Sequence, residues 1–428
     1  MNVNPYPGVS NWNSRIVIEA KKILSHDSEA VFLPDNSKIS KNIIDTCNLL
    51  SIGATVVLCG PCQIQEISNS LGKRSYLTST LQHLDKKDED NDSFFFINFE
   101  NAPMPSDLAK VWVATTGTTG TPKFVEHSVK SILELMKPPI KSAVTWGLTY
   151  AYYKFAGLQV FLQALKGQAK IVGLEQRISS ENTTRLAALF HESGVTHIST
   201  TPSLARQLLA AGFRSEFVKV ITLGGERAEQ RTLTALRQTF PKAKLRHIYA
   251  STELGAVLTV ADGLEGIPCS MLDGNDRFEF DSQGQLLVRP LAASPGRYVD
   301  PTQIFLVNKL FATGDILKKY GDRYLFEGRS SSTVNVGGNK VLPEKIEAFL
   351  LNSFPDIQSV VVSGIPNPIM GEVLSATLGV RSGCEVEDLK KEIKARCKEE
   401  LPSHERPVKY TFTDNLELNE SGKTKRNS

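Results

Sequence analysis

Residues 111–127, VWVATTGTTGTPKFVEH, set Thr115, Thr116, Thr118 and Thr119 with Gly117 and Gly120 between an apolar run and Pro122–Lys123. Threonine hydroxyls and glycine N–H groups are what a chain offers when it must wrap phosphate oxygens closely. The spacing is not that of a P-loop, which needs Gly, four residues, then Gly-Lys-Ser/Thr. Gly117 and Gly120 stand too close together for it. SGKT at 421–424 fails the same pattern, because Glu417 occupies the first glycine position. Other polar clusters follow: TTP at 200–202, GGE at 224–226 and STE at 251–253. Cys59 and Cys62 form a C-x-x-C pair, which in a strand-to-helix context can be a redox site or simply a turn that contains cysteines.

The elements that must carry these clusters are legible from periodicity. Strand-like AKIVGL precedes helical ENTTRLAALFHESG, VTHIST precedes SLARQLLAAG, and VKVITLGG precedes AEQRTLTALRQTF; KLRHIYASTE closes the series. Strands alternating with helices of this length predict βαβ units and a parallel sheet. The polar clusters fall just after those strands, and an open parallel sheet binds ligands beyond the carboxyl ends of its strands. Ahead of this region the chain reads as a reduced α/β unit closed by the polar stretch 85–93, after which FFFINF predicts a short buried strand. Beyond about residue 275 short strands and turns predict a small antiparallel sheet or barrel. From Ser330 a compact α+β unit follows, with a helix opened by Pro343 and a last helix whose Leu389, Ile393, Cys397 and Leu401 share one face. The fold class expected is α/β: a large N-terminal domain (1–328, short before residue 110) with parallel sheet units and a small barrel-like part, then a small mobile α+β domain (329–428).

Composition narrows the function classes. The 428 residues are 41% hydrophobic and 22% charged, as in ordinary globular chains, and the net charge of +3 is spread along the sequence. That gives no footprint for nucleic acid. No apolar stretch reaches the roughly 18 residues of a membrane span. The first residues lack a secretory core and six cysteines are no disulfide framework, so a cytoplasmic location is expected.

Five separated segments, in order, resemble the adenylate-forming superfamily of acyl-CoA synthetases, peptide-synthetase adenylation domains and luciferases. They are TTGTTGTPK, IYASTE, ATGD, GRSSSTVNVGGNKVLPEKIE and NESGKTKR, and the likeness covers residue 111 to the end. The resemblance implies ATP- and Mg²⁺-dependent activation of a carboxylic acid as an acyl-adenylate, then transfer to CoA or to the phosphopantetheine of a free-standing carrier protein. By the same resemblance Thr115, Thr116, Gly117, Thr118, Thr119, Gly120 and Lys123 hold the outer phosphates. Gly224, Gly225 and Glu226 line the adenine slot, and Tyr249, with Ala250 and Ser251 beside it, stacks on adenine. Thr252 contacts the α-phosphate, Glu253 holds Mg²⁺, Asp315 and Arg329 take the ribose, and Lys423 is the adenylation lysine. The hinge falls near Ser331, and Gly337 and Gly338 face the pantetheine tunnel. Tyr153, Lys154 and Gly157 stand where the acid enters. No Asp occurs between 142 and 174, which disfavours an α-amino acid. The chain departs from the family at Phe124, Ala250, Ser331 and Asn335, and its region before the threonine loop is short. A protein that keeps the nucleotide pocket without turnover is the other class that fits.

Overall fold

In the computed structural model, the described residues are 31–33, 39–58, 75–77, 94–115, 123–136, 144–175, 178–291, 297–298, 310–381, 383–414, 416–419 and 422–425. Cys59, Cys62 and the turn Thr116–Gly120 lie outside them. The first strands are β1 (Val31–Leu33), β2 (Thr55–Leu58), β3 (Ser75–Leu77), β4 (Phe94–Asn98), β5 (Lys110–Thr115) and β6 (Lys123–Ser128). There follow β7 (Thr145–Leu148), β8 (Lys170–Leu174), β9 (His197–Thr200), β10 (Val220–Gly224), β11 (Lys244–Ser251) and β12 (Gly255–Val260). Next come β13 (Ile267–Pro268), β14 (Phe278–Phe280), β15 (Gln285–Val288), β16 (Arg297–Tyr298), β17 (Phe311–Tyr320) and β18 (Arg323–Arg329). The last are β19 (Val334–Val336), β20 (Asn339–Val341), β21 (Ile357–Asn367), β22 (Gly371–Val380) and β23 (Lys409–Thr413).

These strands build four sheets. The first runs β16-β6-β5-β2-β1-β3, with β5 and β6 antiparallel and Thr115 opposite Lys123. β5 and β6 therefore form the two arms of a hairpin, whose connecting residues 116–122 lie outside the described residues. The second runs β12-β11-β10-β9-β7-β8-β4, with the five strands from β11 to β8 parallel and the two edge strands antiparallel. FFFINF thus pairs with β8 instead of standing alone. Because β7 lies between β9 and β8 but precedes both, the connections diverge there, which opens a crevice at the strand ends. Thr149 and Thr201 flank that opening, and Thr149 donates to the Ser199 carbonyl across it.

A third, antiparallel sheet, β13-β18-β17-β15-β14, occupies the place where a small antiparallel sheet or barrel was expected. The fourth, β20-β19-β22-β21 with β23 on β22, belongs to the C-terminal part. Its core is the helices Pro343–Ser353 and Val386–Glu400 laid on the sheet, with Ile346, Val362, Ala376 and Ile393 fully buried. The four-residue spacing read from the last helix is the buried one, since Leu389, Ile393, Cys397 and Leu401 all lie in this core.

Local sequence explains the elements that border the crevice. The helix Pro202–Ala210 starts where Thr201 accepts from Leu204 N at 3.1 Å and proline fills the first turn, where its missing N–H costs nothing. In the helix Phe155–Lys166, Gly157 is buried, and a methyl there would stand 2.2 Å from the Ala151 carbonyl oxygen. The close approach of that helix to the preceding turn requires glycine.

Candidate active site

One corner of the crevice is built by β11, β17 and β18. Asp315 and Arg329 are directly opposed on β17 and β18. Arg329 Nε donates to Asp315 Oδ1 at 2.8 Å, and the Tyr249 hydroxyl donates to Oδ2 at 2.5 Å. A register slip of β11 against β12 falls between Tyr249 and Ala250, and such bulges re-aim side chains. Asp315 is only 5% exposed, so its charge depends on these two donors. Burial, with the Asp315 carboxylate next, pushes the Tyr249 hydroxyl above its ordinary pKa and keeps it a donor. Burial alone would lower the Arg329 pKa; Asp315 first, then Tyr249 and Glu253, reverse that and raise it. Glu253, half-buried, thus lies within electrostatic reach of the same pair.

The opposite wall is supplied by the C-terminal hairpin. Gly422 N donates to Asn419 O at 2.9 Å and Lys423 N to Asn419 Oδ1 at 3.2 Å, closing a tight turn. The turn is bolted to the start of the helix Pro202–Ala210: Thr201 Oγ1 donates to the Gly422 carbonyl, and Ser203 Oγ meets Thr424 Oγ1 at 3.1 Å. Leu418, 4% exposed, packs into the large domain's core with Leu204 and Phe190. This seats Lys423 over Gly225, whose φ of +84° suits glycine, and a methyl at Gly225 would stand 3.1 Å from Lys423 Cε. Glu226 is spent locally, its carboxylate accepting from Ser203 N at 3.0 Å. Gly224 lies below the Tyr150 hydroxyl, which reaches its carbonyl at 3.4 Å.

The acid-side residues divide. Tyr153 is buried edge-on to Tyr152, and Lys154 Nζ lies over the Tyr153 ring at 5.4 Å. Neither they nor Gly157 line the cavity of about 1410 Å³ between the first two sheets, whereas Phe155 does, with His127, Trp146, His197, Thr222 and Ile248. His127 packs on Phe155 at 4.8 Å between centroids and hydrogen-bonds the Thr252 backbone, so one end of the cavity abuts the Thr252–Glu253 turn.

Both cavity histidines are held neutral. Burial first lowers His127 to about 4, only partly offset by Thr252 and Glu126; burial, then Arg246 and Lys219, lowers His197 to about 4. Below the ordinary value of 6.5 the unfolded chain takes up protons that the folded one refuses, so stability falls as pH drops from 6.5 toward 4. The urea midpoint is expected to drop already between pH 6.5 and about pH 5.5, before most carboxylates titrate. A midpoint constant across that window contradicts the burial of neutral imidazoles.

Of the residues singled out by sequence, the structure brings together Tyr249, Glu253, Asp315 and Arg329, and separately Gly225 and Lys423. Ala250 and Ser251 end β11 beside the first group, and Thr252 follows them. Thr115 and Lys123 close the hairpin ladder by their backbones, while Thr116, Gly117, Thr118, Thr119 and Gly120 lie outside the described residues. Gly337 and Gly338 sit on the β19–β20 turn, where a methyl at Gly337 would run into Met370 and one at Gly338 would meet open space. Ser203, His127 and Leu418 were not picked out by sequence; Thr201 was, as part of the TTP cluster, which pointed near Ser203.

No helix among the described residues is long and apolar enough to cross a membrane. The family model for AMP-binding enzymes matches residues 47–292, more than half of the chain, and the model for the AMP-binding enzyme C-terminal domain matches 345–423. The chain is 25% identical to the 2-succinylbenzoate–CoA ligase of Geobacillus kaustophilus over 72% of its own length and 66% of the ligase. It is 25% identical to tyrocidine synthase 3 of Brevibacillus parabrevis over 77% of its length and 5% of the synthase. It therefore spans less than two thirds of either relative. An anthranilate CoA ligase solved with anthranoyl-AMP superposes with a TM-score of 0.73 at 17% identity, over 96% of this chain and 88% of that one. At that identity the likeness is one of fold: a large N-terminal domain followed by a smaller C-terminal one.

Proposed function

Because the chain belongs to the AMP-binding enzyme family, we propose that it activates a carboxylic acid as its acyl-adenylate and passes the acyl group to the thiol of CoA. The observation that carries this reading is the seat of Lys423. The C-terminal turn is tied to Thr201 through the Gly422 carbonyl, and Lys423 lies across Gly225, just past the end of β10, whose Gly224 pairs with Ile248 next to Tyr249. A carboxylate oxygen bonds to the α-phosphorus as the bond to pyrophosphate breaks. Two anions meet in that step, so fixed positive charge and directed donors lower the barrier. Lys423 would supply the charge, Thr252 a donor to the α-phosphate, and Asp315 with Arg329 would hold the ribose.

Among the described residues no three His, Cys, Asp or Glu gather as a metal site. Mg²⁺ needs none, since one or two carboxylates plus substrate phosphates suffice, and the half-buried Glu253 fits that donor set. When bound, the ion would neutralise phosphate charge. The acid's body would lie in the cavity that abuts Thr252, a reading supported by its wall of Phe155, Trp146 and Ile248, which suits an aromatic or medium-sized acid. Transfer to a carrier protein is the second reading, prompted by the match to a peptide synthetase.

Acid-dependent exchange of labelled pyrophosphate into ATP tests the first step over a panel of aryl, short, medium and long acids. Exchange with at least one acid is expected. ATP binding without exchange across the panel makes the chain a nucleotide-binding protein instead. Adding CoA or a phosphopantetheinylated carrier to a productive acid then separates the two acceptors.

A further inference from the structure

The C-terminal part is fastened to the large domain at a second place, which does not touch the crevice. Arg231, in the helix Gln230–Thr239, points at the end of the helix Pro343–Ser353. Its Nη1 donates to the carbonyls of Leu351, Phe354 and Ile357, each at 2.9 Å, and its Nη2 to the carbonyl of Pro355. The last carbonyls of a helix lack intrahelical partners and carry partial negative charge, so a planar guanidinium with several donors complements them. Arg206 stands beside it. Its Nε donates to the Gln358 carbonyl at 3.0 Å, while Nη1 pairs with Glu229 at 2.8 Å and Nη2 meets Ser203 Oγ at 3.1 Å. Ser203 in turn meets Thr424, next to Lys423, so the two fastenings share one side chain.

We propose that Arg231, assisted by Arg206, is a positioning latch that holds the C-terminal part in the pose in which Lys423 reaches the crevice. The inference rests on the proposed function, together with the mobile C-terminal domain that the family resemblance implies, taken here as a lid that adopts a second pose for thiol transfer. Every acceptor of Arg231 is a main-chain carbonyl within residues 351–357, fixed as a set by the end of one helix. A lid that turns relative to the large domain withdraws them all at once. The latch therefore favours one pose and is absent from the other, which is what a shift of a two-state equilibrium requires. Burial first, then the neighbouring Arg206, lowers the Arg231 pKa, against the pull of Asp356 and Glu229. Holding them side by side has a cost, which the carbonyl cage and Glu229 offset. Lysine is a poor substitute for Arg231, because its ammonium ends one bond short of the Nη1 position that meets Leu351, Phe354 and Ile357 and brings no second nitrogen to the Pro355 carbonyl.

The test separates the half-reactions. In Arg231→Ala, pyrophosphate exchange is expected to fall about ten- to a hundred-fold in kcat with little change in KM for ATP, as the competent pose is depopulated. Thiol transfer from a supplied acyl-adenylate is expected to hold or quicken. Arg231→Lys should recover little of the exchange. Equal losses in both half-reactions, or full rescue by lysine, make the residue merely structural and overturn the latch. An independent readout needs no acid: spin labels on Glu216→Cys and Lys394→Cys, both exposed positions on the two parts, report the distance between them. Arg231→Ala should broaden or shift that distance; an unchanged distribution overturns the latch even where exchange is absent for want of the right acid. A shifted distance with no exchange from any acid supports the latch and sinks the proposed chemistry alone.

Discussion

Lys423→Ala is expected to slow adenylation about 10²–10³-fold, the usual loss when one positioned donor to a developing charge is removed. The lysine stem lies over Gly225 and its turn is tied to Thr201, so the ammonium is delivered by the lid and not by the nucleotide site itself. ATP affinity should therefore change little, since the groups proposed for ribose and Mg²⁺, Asp315, Arg329 and Glu253, all belong to other elements. Pyrophosphate exchange measured beside equilibrium ATP binding gives both numbers. An interaction made mainly in the transition state lowers kcat and kcat/KM together and leaves ground-state binding alone. Unaltered exchange would remove Lys423 from the mechanism. Tighter dependence of KM than of kcat would recast it as a substrate anchor.

Asp315→Ala should act on the other side of that division, raising the KM for ATP about ten- to a hundred-fold through loss of charge-assisted hydrogen bonds. The carboxylate is buried and receives both the Tyr249 hydroxyl and Arg329. Its removal also leaves the buried tyrosine hydroxyl without its acceptor, at a cost of about 1–3 kcal/mol of stability. Arg329, about half exposed, can rehydrate and adds little to that cost. Asp315→Asn keeps the shape and an acceptor oxygen, so it should recover stability more than nucleotide affinity. Equal KM values in the wild type and Asp315→Ala would mean that the ribose binds elsewhere.

How much of this was legible depends on whether a signal is local. The series from β8 to β11 announces itself, because period-two strands and amphipathic helices of ordinary length alternate, and polar clusters fall at each strand end. Tyr249, Asp315 and Lys423 were readable as members of motifs. The hairpin β5–β6 was not, since the threonine loop gives no hint that the chain reverses there. The antiparallel pairing of FFFINF with β8 joins residues some 75 apart and leaves no local trace. Arg206 and Arg231 look like surface arginines on amphipathic helices. Their partners are backbone carbonyls more than a hundred residues away, and a carbonyl has no letter in the sequence. Leu418 shows the same limit, for a single leucine in a polar tail does not disclose that it completes a core in another domain.

The cavity beside Thr252 is walled by residues up to Ala261, with no contribution from the lid among the described residues. Under the proposed function, acid preference and the lysine-bearing C-terminal part would therefore be encoded on separate stretches of chain. On that reading a library at Trp146, Thr222 and Ile248 would alter which acids are accepted without touching the C-terminal part, whereas Gly225, with its φ of +84° beside Lys423, would not tolerate variation. Retuning such a scaffold toward a new feedstock would then begin at three inward-facing positions, with the last hundred residues left untouched.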